Sequence, residues 1–397
     1  MRRYSKTLSF KLISISTRIQ FSSVQFKVKM NKNVLAVVVG IVLLLNFEAC
    51  YGQLQVGFYN GRCGNQDVES IVNSVVTERF TSDPSIVAAL LRMQFHDCFV
   101  NGCDASLLLD GVSSEKTAGA NLNVRGFDLI DDSKTAIEQT CPGIVSCSDI
   151  VIMATRDAVA LSGGLGARYE VETGRRDGFV SQATDVNLPG PAISVSGAID
   201  LFDRKGLTGA DMLVLLGGHT VGTAHCNFFH DRLWNFQNTG FADPSMDPAL
   251  VATLQFLCPQ FTNDPSVVVD LDQNPSSSNI VDNSFYQQIS FSRGILEIDQ
   301  KLALDPSTTD AVTILANDGD RFLNLFVMDV DACKIRTHKV PDVDACKVTQ
   351  RRKVEVKAGV EFDKVTGIRT HKSFHASVVQ AAGYEKLSFD EKDVRNF

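Results

Sequence analysis

One fifteen-residue stretch, Arg92-Met93-Gln94-Phe95-His96-Asp97-Cys98-Phe99-Val100-Asn101-Gly102-Cys103-Asp104-Ala105-Ser106, constrains this chain more than any other. It concentrates an imidazole, a guanidinium, two thiols and several oxygen donors, a mixture no packing role requires. Upstream, the apolar run Ile86, Val87, Leu90, Leu91 predicts a helix over 84–95. Arg92, Phe95 and His96 then share one face at i, i+3 and i+4. Such a face sets a proton acceptor beside a fixed positive charge. Directly after it, the Asp97, Asp104 and Ser106 side chains and the Val100 and Gly102 carbonyls offer hard oxygen ligands in a loop that Cys98 and Cys103 could close. That is the ligand chemistry of Ca²⁺.

The 397 residues, 44% hydrophobic and 21% charged, suffice for one large core or two lobes and exclude a disordered or collagenous chain. A formal charge of −8 gives no basic footprint for a nucleic-acid partner. Ten cysteines suit a disulfide framework in an exported protein better than a cytosolic one. Residues 1–29 are basic, rich in Ser and Thr, and carry no acidic residue. From Met30, Asn31-Lys32-Asn33, the apolar run Val34 to Leu45 and Cys50-Tyr51-Gly52 form the n-region, h-region and cleavage site of a secretory signal. The apolar run falls short of the roughly 20 residues that span a bilayer. The expectation is a secreted chain starting near Gln53, with no membrane anchor, in the extracellular space, cell wall or vacuole.

Helical apolar patterns recur from Val68 to Val76, from Phe127 to Glu138 and from Ser148 to Ala160, so the chain reads as mainly α, with short strands near Gly163 to Asp177. A second chemical stretch is Leu213-Val214-Leu215-Leu216-Gly217-Gly218-His219-Thr220-Val221-Gly222. There an apolar helix ends at two glycines, which lets something bulky approach the backbone beside His219. His225 and Cys226 lack a second thiol pair at finger spacing, which excludes a zinc finger.

Together these stretches resemble the distal and proximal haem signatures of the plant secretory (class III, horseradish-type) haem peroxidases, over roughly residues 53 to 328. The resemblance implies a two-lobed helical fold with haem b between distal and proximal halves. It implies reduction of hydrogen peroxide with one-electron oxidation of small phenolic donors by a monomer holding two Ca²⁺. His96 and Arg92 would be catalytic, with Phe95 against the haem. Asn121 would accept the proton of the His96 ring nitrogen that faces away from haem, although its loop to Arg125 is a residue shorter than the family's. Asp97, Val100, Gly102, Asp104 and Ser106 match the distal Ca²⁺ ligands, with Glu115 joined to them through water. His219 would be the axial iron ligand, Asp299 its hydrogen-bond acceptor, and the Pro189 carbonyl a contact for the reducing donor. Thr220, Asp272 and Asp282 match the second Ca²⁺ site, although the loop between the aspartates is longer than usual. The implied disulfides are Cys63–Cys141, Cys98–Cys103 and Cys226–Cys258, leaving Cys147 to pair with Cys333 or Cys346.

Four segments follow: a basic extension over 1–29, the signal over 30–52, the peroxidase-like domain over 53–328, and a tail over 329–397. Ile314 to Val327 reads as a last family helix. Beyond it, Asp329-Val330-Asp331-Ala332-Cys333-Lys334 recurs at 342–347 and Ile335-Arg336-Thr337-His338-Lys339 at 368–372, copies too few for a solenoid. The tail reads as foreign to the family, charged and weakly structured. It raises the alternative of an inactive or misfolded peroxidase-like haem or cell-wall binding protein.

Overall fold

The computed structural model describes residues 54–163, 169–261 and 266–331. The basic extension, the signal segment and the tail beyond Asp331, with Cys333, Cys346 and most of the repeats, lie outside the described residues.

Gln55–Val56 (β1) pairs antiparallel with Glu172–Thr173 (β2). Helix α1, Val68–Ser82, starts where the Asp67 carboxylate accepts the Glu69 and Ser70 N–H groups at 3.0 and 3.3 Å. Helix α2 runs over Ile86–Asn101, further than its apolar pattern predicts. Phe99 and Val100 continue the buried face past the polar His96 and Asp97, and Gly102, at φ 102°, ends the helix. Asp97 and Val100 therefore sit on the last turns of α2 instead of in a loop. Helices α3, Phe127–Thr140, and α4, Cys147–Leu161, follow. Every residue of α4 from Cys147 to Val159 is buried, as expected of a helix enclosed by others. Helices α1, α2 and α3 pack around it. Its start is fixed twice, by the Ser146 hydroxyl on Asp149 N–H and by the Asp177 carboxylate on the Cys147 and Ser148 N–H groups.

The second half contains α5, Val195–Asp203, and α6, Gly209–Leu216, the latter entered through a Thr208/Asp211 capping box. Strand β3, Thr223–His225, pairs antiparallel with β4, Val268–Asp270, with His225 opposite Val268. Between these strands lie α7, His230–Trp234, and α8, Pro248–Leu257; after them come α9, Ser284–Ser290, α10, Glu297–Leu304, α11, Thr309–Asn317, and α12, Gly319–Asp331. The single helix expected from Ile314 to Val327 is thus two. Asp318 leaves helical backbone (φ −134°, ψ 85°), and its carboxylate accepts the Arg321 N–H at 2.9 Å to start α12.

The helices before and after β2 share one continuous core that runs from Val72 and Leu90 to Phe322 and Phe326. A smaller core of Phe229, Leu233, Leu250 and Leu254 surrounds Cys226 and Cys258. The mainly helical fold expected from sequence is observed, and Cys63–Cys141, Cys98–Cys103 and Cys226–Cys258 are bonded. Cys147 is also disulfide-bonded; both of its expected partners lie outside the described residues. Among the described residues no helix is long and apolar enough to cross a membrane.

Candidate active site

Helix α2 brings Arg92, Phe95 and His96 together as their spacing requires. His96 is buried, and its Nδ1 lies 2.6 Å from Asn121 Oδ1. Asn121 closes a short 3₁₀ turn, Gly119–Asn121, and its Nδ2 donates to the Glu115 carbonyl at 2.7 Å. The shorter loop therefore still delivers the amide to the ring. Because Nδ2 is committed as a donor, the atom facing His96 is an acceptor, which puts the ring proton on Nδ1 and leaves Nε2 with its lone pair. Burial, and after it the charge of Arg92, lowers the His96 pKa from 6.5 to about 3. Arg92 donates to the Ala120 carbonyl at 3.1 Å, next to Asn121. The Phe95 ring stands 6.1 Å from His96 and packs on Phe99 and on Phe202 of α5, at 4.9 and 6.1 Å.

Behind this face, the Asp97 carboxylate accepts the N–H groups of Ala105 and Leu107 at 3.0 and 3.3 Å. Those bonds hold Ala105 at a left-handed φ of 58°. Asp104 Oδ1 accepts the Ser106 N–H, and the Ser106 hydroxyl donates to Glu115 Oε1, both at 3.0 Å. Glu115 is thereby tied to this loop through the Ser106 hydroxyl. Burial first, and Asp104 second, raises Asp97 well above the usual carboxylate range. Burial pushes Glu115 up to about 7. The second Glu115 oxygen finds no hydrogen-bond partner among the described residues. Mutually repelling, buried acceptors with a spare lone pair form a donor set that suits a hard cation. No group of three His, Cys, Asp or Glu side chains among the described residues is arranged to hold a metal ion by itself, so carbonyls and Ser106 would have to complete a cation shell. One such carbonyl, Val100, accepts the Lys205 ammonium at 2.7 Å, a link no sequence pattern signals. Gly178 lies against the same loop, and a Cβ there would overlap the Asp104 carboxylate.

On the other side, α6 leads into a 3₁₀ turn, Gly217–Thr220. The close approach expected at its glycines is made by the protein itself. A Cβ on Gly217 would overlap the Tyr286 hydroxyl and stand 2.6 Å from the Phe322 ring. His219 Nδ1 lies 2.8 Å from Asp299 Oδ1, in the first turn of α10. Asp299 is buried, whereas 30% of the His219 side chain is accessible. With Nδ1 engaged, Nε2 is the nitrogen left to bind a metal.

Adjacent to His219, Thr220 donates to Asp282 Oδ1 at 2.9 Å, and Asp272 accepts the hydroxyls of Ser277 and Ser284 at 2.8 and 2.9 Å. Burial, with a smaller contribution from Asp282, raises the Asp272 pKa. The longer loop still joins the three expected residues; it adds Ser277, which the Asn-Pro-Ser-Ser-Ser run did not distinguish from its neighbours, and Ser284 joins from the first turn of α9. Pro189 is half-buried in a loop tied to α10, since the Ile298 N–H donates to the Pro191 carbonyl at 2.9 Å.

A family model described as Peroxidase matches residues 72–318. Peroxidase 60 of Arabidopsis thaliana is 52% identical over 283 residues, which are 71% of this chain and 85% of that protein. The chain belongs to the plant secretory peroxidases. Peroxidase N1 of Nicotiana tabacum is 47% identical over 270 residues, 68% of this chain and 80% of that protein. This peroxidase is therefore a haem enzyme, with hydrogen peroxide and reducing donors as its substrates. Its own donor set fits the cofactor: His219 keeps one ring nitrogen uncommitted with a carboxylate behind the other, and a neutral, buried imidazole stands beside an arginine on α2. The alternative of an inactive binding protein gains nothing from these matches.

Proposed function

We propose that this haem peroxidase uses His96 as its acid–base group and Arg92 to stabilise charge, and that His219 would hold the haem iron. The bond of 2.6 Å from His96 Nδ1 to Asn121 Oδ1 carries the reading, because it leaves Nε2 as a free base. Haem, when bound, supplies the iron at which peroxide is reduced and the oxidising equivalents later passed to donors. His96 Nε2 takes a proton from one peroxide oxygen and returns it to the other. The Arg92 guanidinium offsets the negative charge that develops on the departing oxygen. Asn121 holds the imidazole in the tautomer this transfer needs. Asp299 accepts the Nδ1 proton of His219, orients the ring and strengthens Nε2 as a donor. Phe95 supplies an apolar wall on the His96 side. The Pro189 carbonyl would receive the hydroxyl of a small phenolic donor.

Two Ca²⁺ complete the proposal. One would be held by Asp97, Val100, Gly102, Asp104 and Ser106 with Glu115 behind them, the other by Thr220, Asp272 and Asp282. Residues 53–328 would then form the catalytic domain of a secreted monomer, released from a signal over 30–52, with 329–397 as a passenger. His96→Ala tests the central role. Its rate constant with peroxide should fall by about 10²–10⁴-fold while the haem band persists; an unchanged rate constant removes His96 from the mechanism.

A further inference from the structure

The turn that launches α10 is gripped from two sides by buried side chains. Arg232, on α7, is 1% exposed; its Nε donates to Asp243 Oδ2 at 2.9 Å, and its Nη1 donates to the Gly294 and Ile295 carbonyls, both at 2.7 Å. From the opposite side, the Gly294 N–H donates to Gln300 Oε1 at 3.0 Å, and Gln300 Nε2 donates to the Ile289 carbonyl of α9 at 2.9 Å. Both backbone groups of Gly294 are thereby held by side chains, one from α7 and one from α10. A Cβ at Gly294 would stand 3.0 Å from the Gln300 backbone nitrogen, so the turn closes tightly on the helix it starts. Gln300 directly follows Asp299, the residue that meets His219. Arg232 Nη2, meanwhile, is buried without a partner among the described residues, a cost that an apolar residue at this place would avoid.

We infer that Arg232 and Gln300 are positioning residues for the His219–Asp299 pair. They fix the start of α10, and with it the direction from which the Asp299 carboxylate meets the ring. Hydrogen bonds weaken steeply as their angle departs from linear, so a small rotation of this first turn would loosen the Nδ1 bond and lower the donor strength of Nε2. Neither residue touches His219; both act through residues 294–296. The inference rests on the reading of His219 as the axial ligand.

The test uses full-chain holoenzyme and two readouts other than turnover: the iron–imidazole stretching band of the ferrous protein and the ferric/ferrous midpoint potential. Asp299→Asn is the reference variant. Trp234→Phe is the control for general loosening, since it deletes the indole bond to the Cys258 carbonyl in the same part of the fold. Asp299→Asn should lower the band frequency and raise the potential. Gln300→Leu and Arg232→Lys should shift both in the same direction by a smaller amount, and Trp234→Phe should shift neither. If Asp299→Asn shifts both readouts while the Gln300 and Arg232 variants match the native chain, the clamp is structural only and the axial reading stands. If Asp299→Asn shifts neither, the axial reading falls and takes the inference with it. Equal shifts in Trp234→Phe would also overturn the inference. Should Gln300→Leu fail to take up haem, Arg232→Lys, which keeps a charge beside Asp243, decides by the same readings.

Discussion

With His96 as the proposed proton acceptor, the reaction with peroxide should persist on acidification far below the pH at which a free imidazole protonates. Burial is the larger cause of its lowered pKa, Arg92 the next, and the Asn121 bond opposes both, leaving the ring titrating at about 3 instead of 6.5. That separation, roughly 3.5 pKa units, corresponds to about 5 kcal/mol against the charged ring. At pH 5 an imidazole titrating at 6.5 would be about 3% neutral, whereas one titrating near 3 is about 99% neutral, a difference of about thirtyfold in available base. Stopped-flow measurement of the peroxide rate constant from pH 3 to 8 reads this directly. The rate constant should stay level to about pH 4 and fall about tenfold per unit below 3. Arg92→Leu should move the midpoint upward without restoring 6.5, because burial remains. A native midpoint near 6.5, or a midpoint that moves down in the Arg92 variant, refutes the reasoning. Stability follows the same linkage. Between 6.5 and about 3 the unfolded ring binds a proton that the folded ring refuses, so stability falls as pH falls through that window.

Chelating the Ca²⁺ proposed at the distal loop should leave Asp97, Asp104 and Glu115 repelling one another. Folded Glu115 keeps its proton up to about 7 while the unfolded group loses it near 4.5, so chelated protein should lose stability as pH rises through that window. Thermal unfolding with and without Ca²⁺ checks this, and a chelation effect independent of pH counts against it. Gly178→Ala should weaken the proposed Ca²⁺ site at Asp104 by at least about tenfold, through a Cβ that overlaps its carboxylate, and leave the other proposed site intact. Calorimetric titration finding two unchanged sites would contradict that. Replacing Cys226 and Cys258 by serine opens a loop with a sequence separation of 32 and should cost about 4 kcal/mol in denaturant unfolding. A loss below about 1 kcal/mol would mean that the surrounding apolar core, not the bond, holds this part together.

Local spacing made part of this site legible and concealed the rest for a definable reason. Arg92, Phe95 and His96 share a helix, so their convergence follows from a period of 3.6 residues. The same pattern stopped α2 too early, because Asp97 and the cysteines interrupt its apolar stripe while Phe99 and Val100 keep it buried. Asn121 and Asp299 lie 25 and 80 residues from the histidines they meet, so only resemblance pointed to them. Arg232, Gln300 and Lys205 were hidden more deeply. Each of them donates to a backbone carbonyl, Arg232 to two that lie 62 and 63 residues away and Lys205 to one 105 residues away, and a carbonyl leaves no complementary residue type in the sequence.

The two histidines are placed by the same device and differ in one atom of it. Each presents Nδ1 to an oxygen held by a distant element, which leaves Nε2 for the role proposed for it. On α2 that oxygen belongs to a neutral amide, which orients the ring without adding negative charge. Burial and Arg92 then prevail, and the ring stays unprotonated. A carboxylate at position 121 would set an opposite charge against the ring and favour its protonated form, consuming the base before peroxide arrived. At position 299 the oxygen does belong to a carboxylate, and there the charge is useful. An electron-rich imidazole is a stronger metal donor, and a bound metal occupies the nitrogen that a proton would otherwise take. An amide at 121 and a carboxylate at 299 therefore suit one side-chain type to the two incompatible tasks proposed for it, proton acceptor on one side and electron donor on the other.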